Sequence, residues 1–100
     1  MVVLMTQDVT GGTRKIVEAI SSDPDVRENP LAGLVAHVIT DISGGIRAVD
    51  IWESEADFQT FANERLMPSV QRVSQERGIS TDGISDPTVV KAYDFFVWGR

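Results

Sequence analysis

Residues 33–53 read GLVAHVITDISGGIRAVDIWE, two β-rich runs on either side of Ser43-Gly44-Gly45. A glycine-containing turn of two or three residues between such runs is a strong hairpin signal. With Ser43-Gly44 as the loop, Ile42 faces Gly45 and His37 faces Asp50, and alternation assigns every other residue to one of two faces. One face carries Leu34, Ala36, Val38 and Thr40 against Arg47, Val49, Ile51 and Glu53. The other carries Val35, His37 and Ile39 against Ala48, Asp50 and Trp52. An aspartate inside a strand is unusual, and this one shares its face with a histidine and a tryptophan.

The hairpin runs directly into a helix signal. Ser54 can cap free N–H groups, with Asp57 three residues on completing a pair like a capping box. Phe58, Phe61, Ala62, Leu66, Val70 and Val73 then recur at helical spacing, which predicts a core-facing stripe. Pro68 is expected to end or kink this helix near Met67 and to be able to start a second segment. Upstream, Val2 to Val9 reads as a first strand. Gly11-Gly12 breaks it, and Thr13 caps a helix to about Ser22 with Ile16, Val17 and Ile20 on one face. Residues 23–30, with two prolines, read as a loop. Residues 78–87 are a polar, glycine-bearing loop and the best candidate for a mobile lid, and Thr88 to Trp98 reads as the last strand.

The order β-α-β-β-α-β, with right-handed crossovers, gives an α+β ferredoxin-like fold: a four-stranded antiparallel sheet with the helices on one face. Residues 1–100 are expected to form a single domain. Both sheet faces carry aliphatic residues and the helices cover only one, so the other is expected to meet a second copy. The more uniformly aliphatic set (Leu34, Ala36, Val38, Val49, Ile51) is assigned to that homodimer contact, which turns His37, Asp50 and Trp52 toward the helices.

Composition narrows the function. The chain has 100 residues, 42% hydrophobic and 24% charged, a soluble globular balance. Its net charge of −6 argues against nucleic-acid and anionic-membrane partners. The absence of cysteine excludes thiolate catalysis, disulfides and thiolate metal sites, and a single histidine excludes a multi-histidine metal site within one chain. No apolar run approaches membrane-spanning length and the N-terminus lacks a signal-peptide pattern, so a cytoplasmic location is expected.

An imidazole facing a carboxylate in a partly apolar pocket is a candidate general base, the carboxylate fixing which ring nitrogen carries the proton. His37 and Asp50 are therefore the candidate catalytic pair, set against the plainer alternative of a structural hydrogen bond. Trp52 is a candidate flat wall for an aromatic ligand with an indole N–H for orientation, or else a core filler. Tyr93 and Asp94 fall on opposite faces of the last strand, so either can reach the same pocket, with packing or surface as the plainer reading of each.

The element order, together with WESEADFQTF at residues 52–61, resembles the dimeric α/β-barrel superfamily, specifically the antibiotic biosynthesis monooxygenase-like group. There a strand ending in Trp-x-Ser/Asn enters a helix that opens with an acidic pair and two spaced aromatics, here Phe58 and Phe61. The resemblance implies dimers whose sheets pack into a barrel. It also implies a small, often aromatic ligand between sheet and helices, with Trp52, Phe58, Phe61 and Tyr93 as ligand-binding candidates. Activities in the superfamily include cofactor-free oxidation of polyketide phenols, haem degradation and polyketide cyclisation. This chain lacks the haem degraders' histidine on the second helix. Where quinone-forming members carry an asparagine on the strand before the tryptophan, it has Ala48 and Asp50. A His37/Asp50 pair suits the cyclase or isomerase members, which abstract a proton beside a carbonyl. The expectation is a cofactor-free enzyme, without metal, acting on an aromatic or polyketide-like molecule; the alternative is a non-catalytic ligand-binding or stress-related dimer.

Overall fold

The computed structural model describes residues 1–23, 26 and 31–98. In chain order the elements are β1 (Val3–Thr10), α1 (Arg14–Ser21), β2 (Leu34–Ile42), β3 (Gly45–Trp52), α2 (Glu55–Phe61), a π-helical segment (Ala62–Leu66), α3 (Met67–Arg77) and β4 (Thr88–Lys91). The sheet order is β2-β3-β1-β4, antiparallel at every pairing, which is the ferredoxin-like arrangement. Most of the expected loop at 23–30 lies outside the described residues.

Local chemistry starts the helices as expected. Thr13 caps α1 by accepting the Ile16 N–H, and Ser54 caps α2 by accepting the Asp57 N–H at 3.1 Å. Glu55 and Asp57 in the first turn of α2 also favour its positive dipole end. Pro68 marks a break in the helix near Met67 and stands in the first turn of a new segment, as its position predicts. Immediately before it the chain widens into one π turn, in which the Met67 N–H donates to the Ala62 carbonyl, and α3 then continues with Pro68 in its first turn. A proline lacks the N–H of a regular turn but is tolerated at a helix start, so the adjustment falls on the preceding residues. α3 closes at Gly78, whose left-handed φ of 65° a residue with a Cβ adopts at a cost.

The hairpin register holds from Ile42↔Gly45 through His37↔Asp50 to Ala36↔Ile51. It then slips: Leu34, not Val35, pairs with Trp52, with a β-bulge between Leu34 and Ala36. The extra residue exchanges the faces of the strand's beginning. Leu34 therefore joins the helix side, packed against the core of Val3, Met5, Trp52 and Phe58, and Val35 is exposed. This corrects the assignment of Leu34 to the outer face.

The last strand is shorter than its β-rich sequence predicts. Lys91 pairs with Val3, the first residue of β1, and the Ala92 N–H donates to Val2, so β4 ends where its ladder ends. Tyr93, Phe95, Phe96, Val97 and Trp98 lie beyond it, all exposed.

The loop after α3 is fastened rather than free. Ile84 bridges Val9, the Thr10 N–H donates to Gly83, and the Ser85 N–H donates to Asp8. The Ser85 hydroxyl both donates to the Asp8 carbonyl and accepts its N–H. These bonds continue the β1 edge, and a Cβ at Gly83 would collide with the Thr10 carbonyl. They are a poor basis for the mobile lid expected of this segment.

Candidate functional site

Sheet and helices enclose a cavity of about 520 Å³, within the range that holds small-molecule ligands. Its floor is the inner face of the sheet, where Met5, Gln7 and Val9 of β1 alternate inward beside Ile46, Ala48 and Asp50 of β3 and His37 and Ile39 of β2. Its roof is the apolar stripe of α1 (Ile16, Val17, Ile20) with Leu66 of the π-helical segment and Met67 and Val70 of α3. Ile79 and Ile84 of the fastened loop close one side.

At the β2 edge His37 and Asp50 meet as the register requires, Nδ1 lying 2.5 Å from Oδ1. The other carboxylate oxygen of Asp50 accepts the Trp52 indole N–H at 3.2 Å. The aspartate is buried, at 5% exposure, whereas the His37 side chain is 34% exposed. A buried carboxylate needs partners on its oxygens, and here both have one. Because Asp50 occupies Nδ1 as an acceptor, the neutral ring carries its proton there and Nε2 is the basic atom. Nε2 has no hydrogen-bond partner among the described residues.

Trp52 is fully buried, its ring 5.2 Å from Phe61 and 6.0 Å from Phe58 between centroids. Its N–H is spent on Asp50, so it orients the carboxylate and not a ligand. Phe61 lines the cavity; Phe58, 2% exposed, supports Trp52 from outside the cavity wall. Tyr93 is fully exposed beyond the end of β4 and does not line the cavity, contrary to its expected place. The structure thus brings together His37, Asp50, Trp52 and Phe61, with Phe58 behind them. Sequence reasoning missed Gln7 and the α1 stripe as cavity wall. Gln7 carried the same signal as Asp50, a polar side chain in the inward phase of a strand.

Two exposed ion pairs frame the region. Arg14, at the start of α1, donates to Asp41 of β2 through Nε at 3.1 Å and Nη2 at 2.5 Å, tying the helix to the sheet's far end. Arg47 donates to Asp8 across β1 and β3 at 2.7 and 3.0 Å. Hydrogen bonds from these guanidinium groups hold the carboxyls of Asp41 and Asp8 below their ordinary values. Among the described residues no three His, Asp or Glu side chains converge to hold a metal ion, and no helix is long and apolar enough to cross a membrane.

The fold is that of the antibiotic biosynthesis monooxygenase-like proteins. A candidate antibiotic biosynthesis monooxygenase from Chloroflexus aurantiacus superposes with a TM-score of 0.60 at 12% identity, covering 99% of this chain and 100% of its own. Rv0793 from Mycobacterium tuberculosis gives 0.63 at 14%, over 95% and 98% of the two chains. SnoaB, a cofactor-independent oxygenase from Streptomyces nogalater, gives 0.57 at 17%, over 94% of each. No protein-family model and no curated protein matches the sequence. At such identities the likeness is one of fold, which does not by itself carry activity.

Proposed function

We propose that the protein is a cofactor-free enzyme that removes a proton from a small, largely aromatic, polyketide-like molecule bound between sheet and helices. The observation that carries this reading is the buried Asp50 holding His37 at the edge of a mainly apolar cavity, with Nε2 as the free base. A phenolic O–H, or a C–H beside a carbonyl, delivers its proton to Nε2. Asp50, fixed by the Trp52 N–H, then faces the imidazolium it stabilises. The resulting enolate or phenolate is the common starting point of cyclisation and of oxidation by O2, and oxygen uptake during turnover tells these outcomes apart.

The test is His37→Gln, whose amide still donates to Asp50 but is no base. It is expected to lower kcat by about 10²–10⁴-fold with ligand binding retained. An unchanged kcat removes His37 from the mechanism, and binding without any turnover in the unmodified protein favours the alternative of a ligand-binding module.

We also propose that a second copy covers the outer sheet face, where Val38 and Val90 are half exposed and Leu4 lies beside Val90. Sedimentation at micromolar concentration should show a dimer; a monomer there refutes it.

A further inference from the structure

We infer that Gln7 is the cavity's second recognition point, an acceptor for a hydroxyl at the end of the ligand remote from His37. The inference rests on the reading of this cavity as a ligand site.

The sheet register places the two residues. Met5, Asp50 and His37 stand in one row across β1, β3 and β2, and Gln7 lies two residues further along β1 on the same inner face. Two strand spacings and two residue rises separate His37 from Gln7, on the order of 10 Å. Between them the floor carries Ala48, with Ile39 beside it, and the Asp50 carboxylate, whose two oxygens are taken by His37 and Trp52.

The orientation of the Gln7 amide is settled by its partner. Its Nε2 donates to the Ser85 carbonyl at 2.9 Å, an atom that can only accept. The amide oxygen is thereby turned away from Ser85 and has no hydrogen-bond partner among the described residues. Ser85 is itself fixed to Asp8 by its backbone N–H and its hydroxyl, so the acceptor is held in place before any ligand arrives. A flat molecule with one acidic group at His37 and a hydroxyl at its opposite end satisfies both points. A molecule without the second hydroxyl leaves the Gln7 oxygen unpaired against an apolar part of the ligand. The ligand this defines is an elongated, mainly apolar molecule with an acidic group at one end and a hydroxyl on the order of 10 Å away.

The experiment compares 2,6-dihydroxyanthraquinone with 2-hydroxyanthraquinone by quenching of Trp52 fluorescence, in a Trp98→Phe background that leaves Trp52 as the sole tryptophan. The dihydroxy compound is expected to bind roughly threefold to tenfold tighter, and Gln7→Met is expected to abolish that advantage. A mere loosening of the loop by the substitution would weaken both ligands alike and leave their ratio intact. Equal affinities in the Gln7 protein, or an advantage that survives Gln7→Met, overturn the inference while leaving the ligand site standing. No quenching by either compound removes the ligand-site reading and this inference with it.

Discussion

The two ends of the sheet–helix interface are built from similar sequence patterns but to different packing. At one end Trp52 and Phe58 of the β3–α2 segment close against Val3 and Met5, and all four are at most 2% exposed. At the other, Ile16, Val17 and Ile20 of α1 point to the same sheet, yet no residue of that helix is buried. They line a cavity instead of filling one. One end is a core that holds the dyad's carboxylate in place. The other is a cavity wall held up by helix capping and the Arg14–Asp41 pair.

Substitution at each end should make the contrast measurable. Trp52→Ala removes the largest core side chain and the donor that fixes Asp50, and should cost about 3–5 kcal/mol by urea unfolding. Ile20→Ala, at the open end, should cost about 1 kcal/mol or less without ligand. A saturating ligand that fills the cavity should raise the stability of the unmodified protein, by about 2.7 kcal/mol at a hundred times Kd. It should also enlarge the Ile20→Ala penalty. Equal costs for the two variants would mean that the ends are equally packed.

The smallest effect concerns acid. The folded-state pKa values of Asp8 and Asp41 are depressed by Arg47 and Arg14, so their contribution is present above the ordinary carboxylate value. It is lost as pH falls through the lower folded values. Asp41→Asn should flatten the acid limb of the stability curve slightly, and high salt should mimic it because both pairs are exposed. A limb unchanged in both experiments would show that Arg14–Asp41 does not help to hold α1.

The same contrast explains what could be read from the chain. The turn at Ser43-Gly44 set the register, and the register put His37 opposite Asp50 without further information. Leu34 was misplaced because Leu34 and Val35 are both aliphatic, so alternation carries no mark of the bulge between them. The last strand was overextended because strand-forming residues continue to Trp98, while strand length depends on the partner ladder, which ends at Val3. That α1 forms a wall of the expected pocket is illegible for a related reason. A stripe such as Ile16, Val17 and Ile20 looks identical whether it packs on side chains or on empty space.

The bulge between Leu34 and Ala36 serves as a slip joint for the chain entering the hairpin. One residue gained or lost ahead of it can be absorbed by making or erasing the irregularity, leaving the stretch from Ala36 to the turn in register. Between the bulge and Ser43 there is no such tolerance. A single deletion between His37 and Ser43 would carry His37 to the opposite side of the sheet and dissolve its pairing with Asp50. Length variation among natural or engineered versions of this chain should therefore collect before His37 and be excluded from the five residues between His37 and Ser43.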